Sequence, residues 1–218
     1  MAMPSRTWTA VAAVAALAVA GVVTFAVTRP EQGPRPAVFR GERTSALYAP
    51  IDDRSADPRP PTGAEVFGQA DTVAAAGVTM RRGQVSASAD CAGALWGERT
   101  AAAAAGCAQV VRAAFTAVGG GISGQYAVFD MPDGAAADRL VDALDPKGGD
   151  GFLRPAPGQP PSFDAAHSRA AARALGHFVV VNWVGPVGDE GRADLTYPQL
   201  ALERLGAFAQ NRVLAAGD

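Results

Sequence analysis

Residues 8–27, WTAVAAVAALAVAGVVTFAV, are twenty consecutive positions without a charge, and no other feature limits the chain's folding as strongly. As a helix rising 1.5 Å per residue they span about 30 Å, the thickness of a bilayer's hydrocarbon core. Trp8 at one end suits the membrane interface. The run predicts a transmembrane signal anchor over 8–27, preceded by a short flank, 1–7, with the lipid bilayer as its partner. Cleavage as a signal peptide competes, because Ala18-Val19-Ala20 fits a small-x-small site. Yet the apolar run continues through Val27, beyond the usual span of a signal peptide. No cysteine follows the segment directly, which excludes a lipid-modified cysteine anchor.

The two flanks disagree about orientation. Arg6 and the α-amine precede the run, whereas Arg29, Arg35, Arg40 and Arg43 follow it, and counting alone favours a cytoplasmic C-terminus. Large domains, however, cross the membrane largely regardless of charge. The only two cysteines, Cys91 and Cys107, decide for the outside. A bond between them would close a loop of about 15 residues, contributing on the order of 3 kcal/mol, and such bonds persist in oxidising compartments. Two buried free thiols are the alternative, and they go with a cytoplasmic domain. A redox pair would need Cys-x-x-Cys spacing, which is absent.

Beyond the anchor, residues 28–44 are rich in Pro, Arg and Gly without period, the composition of a tether. Residues 45–218 read as one extracytoplasmic domain. Its first part, 45–68, is a Pro-rich strap in which Leu47, Tyr48, Ile51, Val66 and Phe67 offer anchors to a surface. Thr62 and Glu65 make a T-x-x-E capping box there, closed by Gly68. A helix is predicted over 99–118, where Val110, Val111, Ala114, Phe115 and Val118 form one apolar stripe, with Gly119–Gly121 stopping it. A strand follows over 123–131, then a helix over 134–144 capped by Asp133. A long Pro/Gly loop, 145–163, leads to an Ala-rich helix over 164–175, a strand over 177–185, and a final helix from Pro198 to about 214. Helices with one apolar stripe need a sheet to cover it. The expected class is therefore α+β, a small sheet with helices packed mainly on one face, ferredoxin-like being one such arrangement. A doubly wound α/β fold is the alternative.

Few residues point to chemistry. The formal charge of −2 is too near zero to imply nucleic acid or another strongly charged partner, and no nucleic acid is expected. The basic residues are all arginine except Lys147, a compositional bias that makes arginine counts weak evidence for phosphate binding. Zinc needs more ligands than His167 and His177 supply, so no metal or cofactor is expected. GGGISG at 119–124 satisfies G-x-G-x-x-G formally, but the dinucleotide signature needs a strand before it and a helix after it. Ser123, Asp130 and His177 are the candidates for a functional constellation, since adjacent strands could bring them together, although no spacing requires it.

The segments LYAPIDDRSADPRPPTGAEVFG, LWG…GCAQVVRAAF, YAVFDMPD and LGHFVVVNWV together resemble streptomycete-type actinobacterial single-pass membrane proteins of uncharacterised function. The resemblance covers about residues 45–214. It implies one anchor, an extracytoplasmic domain that includes the strap, and pairing of the two cysteines, and it brings no catalytic residue. The function expected is a cell-envelope module that contacts an envelope protein, a cell-wall polymer or a small ligand. An unrecognised extracytoplasmic hydrolase and a cytoplasmic domain with reduced cysteines are the alternatives.

Overall fold

The computed structural model describes residues 33–188 and 193–216, so the anchor expected over 8–27 lies outside the described residues. Among the described residues no helix is long and apolar enough to cross a membrane.

Seven strands form one mixed, curled sheet, a half-barrel. They are β1 (Val38–Glu42), β2 (Thr72–Ala75), β3 (Val78–Ser88), β4 (Gln109–Ala117), β5 (Ile122–Asp130), β6 (Arg169–Leu175) and β7 (Phe178–Pro186), in the spatial order β1-β6-β7-β5-β4-β3-β2. Only β1 and β6 run parallel, and the other five pairings are antiparallel. Among the described residues five helices cover the sheet: α1 (Gly63–Phe67), α2 (Glu98–Ala103), α3 (Gly134–Ala143), α4 (Thr196–Glu203) and α5 (Ala207–Ala216).

This corrects the expected fold class. The sheet is large rather than small, it is neither ferredoxin-like nor doubly wound, and helices lie on both of its faces. On one face α2, α3 and the 145–163 loop pack over Val110, Ala127, Phe129, Val181 and Trp183. On the other, α1, α4, α5 and the strap pack over Val111, Phe115, Tyr126, Val128 and Val180. Every residue of β7 is buried, as expected of a strand covered on both sides.

Two predicted helices are strands, and so is Val38–Glu42 within the segment expected as a tether over 28–44, which pairs with β6; together they enlarge the sheet. Within 99–118 only Glu98–Ala103 is helical, and Gly106 at φ +80° turns the chain into β4. A strand buried on both faces loses its polar alternation, so Val110-Val111 and Ala114-Phe115 imitate a helical stripe. The Ala-rich segment expected as a helix over 164–175 forms a 3-10 turn, Ala165–His167, and then β6. Alanine's helical preference is a fraction of a kcal/mol per residue, less than pairing between β1 and β7 returns. The three glycines 119–121, expected to stop a helix, make the β4–β5 hairpin turn instead, all with positive φ. The long final helix is broken by a 3-10 turn, Arg204–Gly206, into α4 and α5.

Cys91 and Cys107 form a disulfide, with Cα atoms 6.2 Å apart. It ties the 3-10 turn Ala92–Ala94 to the residues entering β4, at the margin of the α3-side core.

Candidate functional site beneath the strap

The strap lies across the end of the sheet where β5 finishes and β7 begins. Its backbone is bonded there at several points. Gly134 N–H donates to Asp52 O at 2.7 Å and Arg54 N–H to Pro132 O at 3.1 Å, while Asp53 and Asp133 form an isolated bridge. Gly176, in the β6–β7 turn, has φ +67°, and a Cβ there would lie 2.4 Å from Ile51 O. Only glycine admits so close an approach in that conformation.

A buried arginine fastens the strap from the other side. Arg212 of α5 is 3% exposed. Its Nε and Nη2 grip both Glu65 carboxylate oxygens, and its Nη1 donates to Asp57 Oδ1 and Arg59 O, each at 2.7 Å. Burial pushes the Glu65 carboxyl up, but the bonds and charge of Arg212 outweigh it and hold Glu65 below the usual carboxylate range.

Beside this network sit two of the sequence-derived candidates. His177 and Asp130 are 0% and 2% exposed, with Nε2 and Oδ1 3.5 Å apart. His177 Nδ1 lies 2.7 Å from Ile51 O. A carbonyl can only accept, so Nδ1 carries the hydrogen and Nε2 offers a bare lone pair. Neither Nε2 nor Asp130 Oδ1 has a hydrogen-bond partner among the described residues. Burial raises the Asp130 carboxyl to about 6, partly offset by Arg54 and Arg212. Burial likewise lowers the His177 pKa, against the Ile51 carbonyl and the Asp57 charge. One proton placed between the two would satisfy both atoms. Asp130 also borders an open depression of about 570 Å³ walled by Asp53, Arg54, Pro58, Pro132 and Asp133.

The third candidate is elsewhere. Ser123 stands seven residues from Asp130 along β5, about 23 Å at strand rise. It is buried, and its hydroxyl donates to Phe115 O at 2.9 Å. The site beneath the strap is therefore an acid-base pair, with the Asp130 carboxyl raised to about 6, and it has no link to Ser123. The 119–124 glycine motif lies in a hairpin between two strands, with no helix amino terminus after it. Among the described residues no three His, Cys, Asp or Glu side chains converge as metal ligands.

Sequence reasoning missed Asp57, Glu65 and Arg212 as a unit, although one signal was present. Arg212 falls three and seven residues after Ala209 and Leu205, on the apolar stripe of the last helix, where a charge requires partners.

The Asp130 carboxyl has a measurable consequence. Its folded pKa, about 6, exceeds the ordinary 3.8, so between those values the folded chain holds a proton that the unfolded chain releases. Stability from this group is therefore present below about pH 4 and lost as pH rises through 6. Asp130→Asn removes that loss while keeping an amide N–H for His177 Nε2. The variant should match the parent near pH 4 and exceed it by on the order of 2 kcal/mol at pH 8. Urea unfolding across that range checks this, and parallel stability curves would refute it. His177 works in the opposite sense, losing stability as pH falls through 6.5, but it is present in both proteins.

Compared with family models, curated proteins and solved structures, the chain matches none.

Proposed function

We propose that this chain is a membrane-anchored cell-envelope module whose folded domain lies outside the cytoplasm and binds a partner, an expectation consistent with the topology of the streptomycete-type proteins it resembles. The observation that carries this reading is the Cys91–Cys107 disulfide, on a chain whose residues 8–27 are uncharged and apolar. Disulfides persist in oxidising spaces, and the apolar run supplies a route into one. The geometry beneath the strap favours binding over catalysis, because the Asp130–His177 pair is about 23 Å from the buried Ser123 hydroxyl. The hydrolase reading draws on the same pair as a general acid-base couple near neutral pH.

The test is alkylation of the full-length chain in intact cells, followed by mass measurement with and without prior reduction. An extracytoplasmic domain gives no modified thiol before reduction and two after it. Two modified thiols before reduction place the domain in the cytoplasm and end the proposal.

A further inference from the structure

The 145–163 loop covers the α3-side face of the sheet. Phe152 and Phe163 both meet Trp183 edge-on, with ring centres 4.8 and 5.1 Å away. The loop's Arg154 O accepts from Arg112 Nη1 of β4 at 3.3 Å, and just beyond the loop Asp164 N–H donates to Pro186 O of β7 at 2.9 Å. The segment thus runs from β4 across β5 to the end of β7.

Beneath it lies Gln125 of β5, opposite Ala114 and Trp183 in register and 0% exposed. Among the described residues neither its Oε1 nor its Nε2 has a hydrogen-bond partner, and Nε2 of Gln159 in the loop is also buried and unpartnered. A buried amide without partners is costly, and native folds keep few of them.

Arg112 neighbours this amide, and Arg154 neighbours Arg112. Arg112 pairs with Ala127, and Ala114 with Gln125, so Arg112 and Gln125 are diagonal neighbours on one face. Long side chains reach each other at that separation, about 7–8 Å. Arg154 stacks on Trp96, 3.6 Å from the ring centre, with its Nε donating to Leu95 O at 2.8 Å. Burial, and after it the Arg154 charge, lowers the Arg112 pKa, so the two guanidinium groups repel. Among the described residues neither takes part in an ion pair.

We propose that Arg112, Arg154 and Gln125 form a binding site for a small oxyanion, a carboxylate or phosphate group, roofed by the 145–163 loop. An oxyanion between the guanidinium groups relieves their repulsion and accepts from their planar donors. Gln125 Nε2 adds a neutral donor from below, and its Oε1 is left to accept from a hydroxyl or N–H on the same ligand. The site lies on the opposite face of the sheet from the Arg212 network and does not depend on the compartment argued above.

The test is thermal unfolding of the full-length chain titrated with inorganic phosphate in one arm and acetate in the other, with ionic strength held constant by chloride. The proposal expects a saturable rise of about 3 °C in at least one arm, and the responding arm identifies the class of anion. Phosphate also stabilises proteins by exclusion from their surface, a rise that does not saturate and is indifferent to single side chains. Arg112→Gln should abolish the saturable part. Gln125→Leu should weaken it while raising the unfolding temperature without anion, because the unpartnered amide is gone. Absence of a saturable rise in both arms, or an equal rise in parent and both variants, overturns the site.

Discussion

Replacing Arg212 with Met is expected to lower the stability of the domain by about 3–5 kcal/mol, the cost of stranding buried carboxylates without their cation. Asp57 is 6% exposed and already has one oxygen without a partner, so it has no easy access to water when Arg212 is lost. For a domain of this size that corresponds to a fall in unfolding temperature of roughly 10 °C. The strap should then loosen, since Arg212 bonds it at Asp57, Arg59 and Glu65. Limited proteolysis within 55–62 should accelerate before the rest of the domain is cut. Arg212→Lys keeps the charge but loses the fork on Glu65, and should fall between parent and Met variant. A Met variant that unfolds within 2 °C of the parent, with an equally resistant strap, would show that the network contributes no net stability.

Reduction of Cys91–Cys107 should cost about 3 kcal/mol, because the bond removes the freedom of a 15-residue loop from the unfolded chain. The turn at Ala92–Ala94 and the Gly106 corner before β4 are held close by this link. Its loss should release the α2 segment between them before the sheet opens. Unfolding in urea with and without reductant measures the difference, with the Cys91→Ser, Cys107→Ser double variant as control. The double variant should match the reduced parent and be indifferent to reductant. An oxidised parent no more stable than the double variant would remove the structural role of the bond.

The local features that the sequence displayed were those with a single unambiguous signature. Asp133 caps α3, its side chain accepting from Ala136 N–H at 2.6 Å, and the stripe of Ala136, Ala137, Leu140 and Val141 is buried as its spacing requires. Thr62 accepts from Glu65 N–H at 3.1 Å and Gly68 ends α1 at φ +68°, as the capping box implies. The strands β5 and β7 carry enough branched and aromatic residues to be read directly. In sequence β4 and β6 look like helices, because burial on both faces erases the period of two. The site followed the same division. Asp130 and His177 meet because β5 ends where β7 begins, whereas Ser123 sits on the same strand at its far end.

By itself the sequence determined the local features: the uncharged run of 8–27, the caps at Thr62 and Asp133, and the composition of the two strongest strands. These depend on residues a few positions apart, whose preferences act before any tertiary contact forms. Only the tertiary structure decided that 109–117 and 169–175 are strands, that helices lie on both faces, and that Arg212 meets Asp57 and Glu65. The reason is the distance along the chain over which each choice is settled. Arg212 and Asp57 are 155 residues apart, and nothing at either position specifies the other until the sheet places them together.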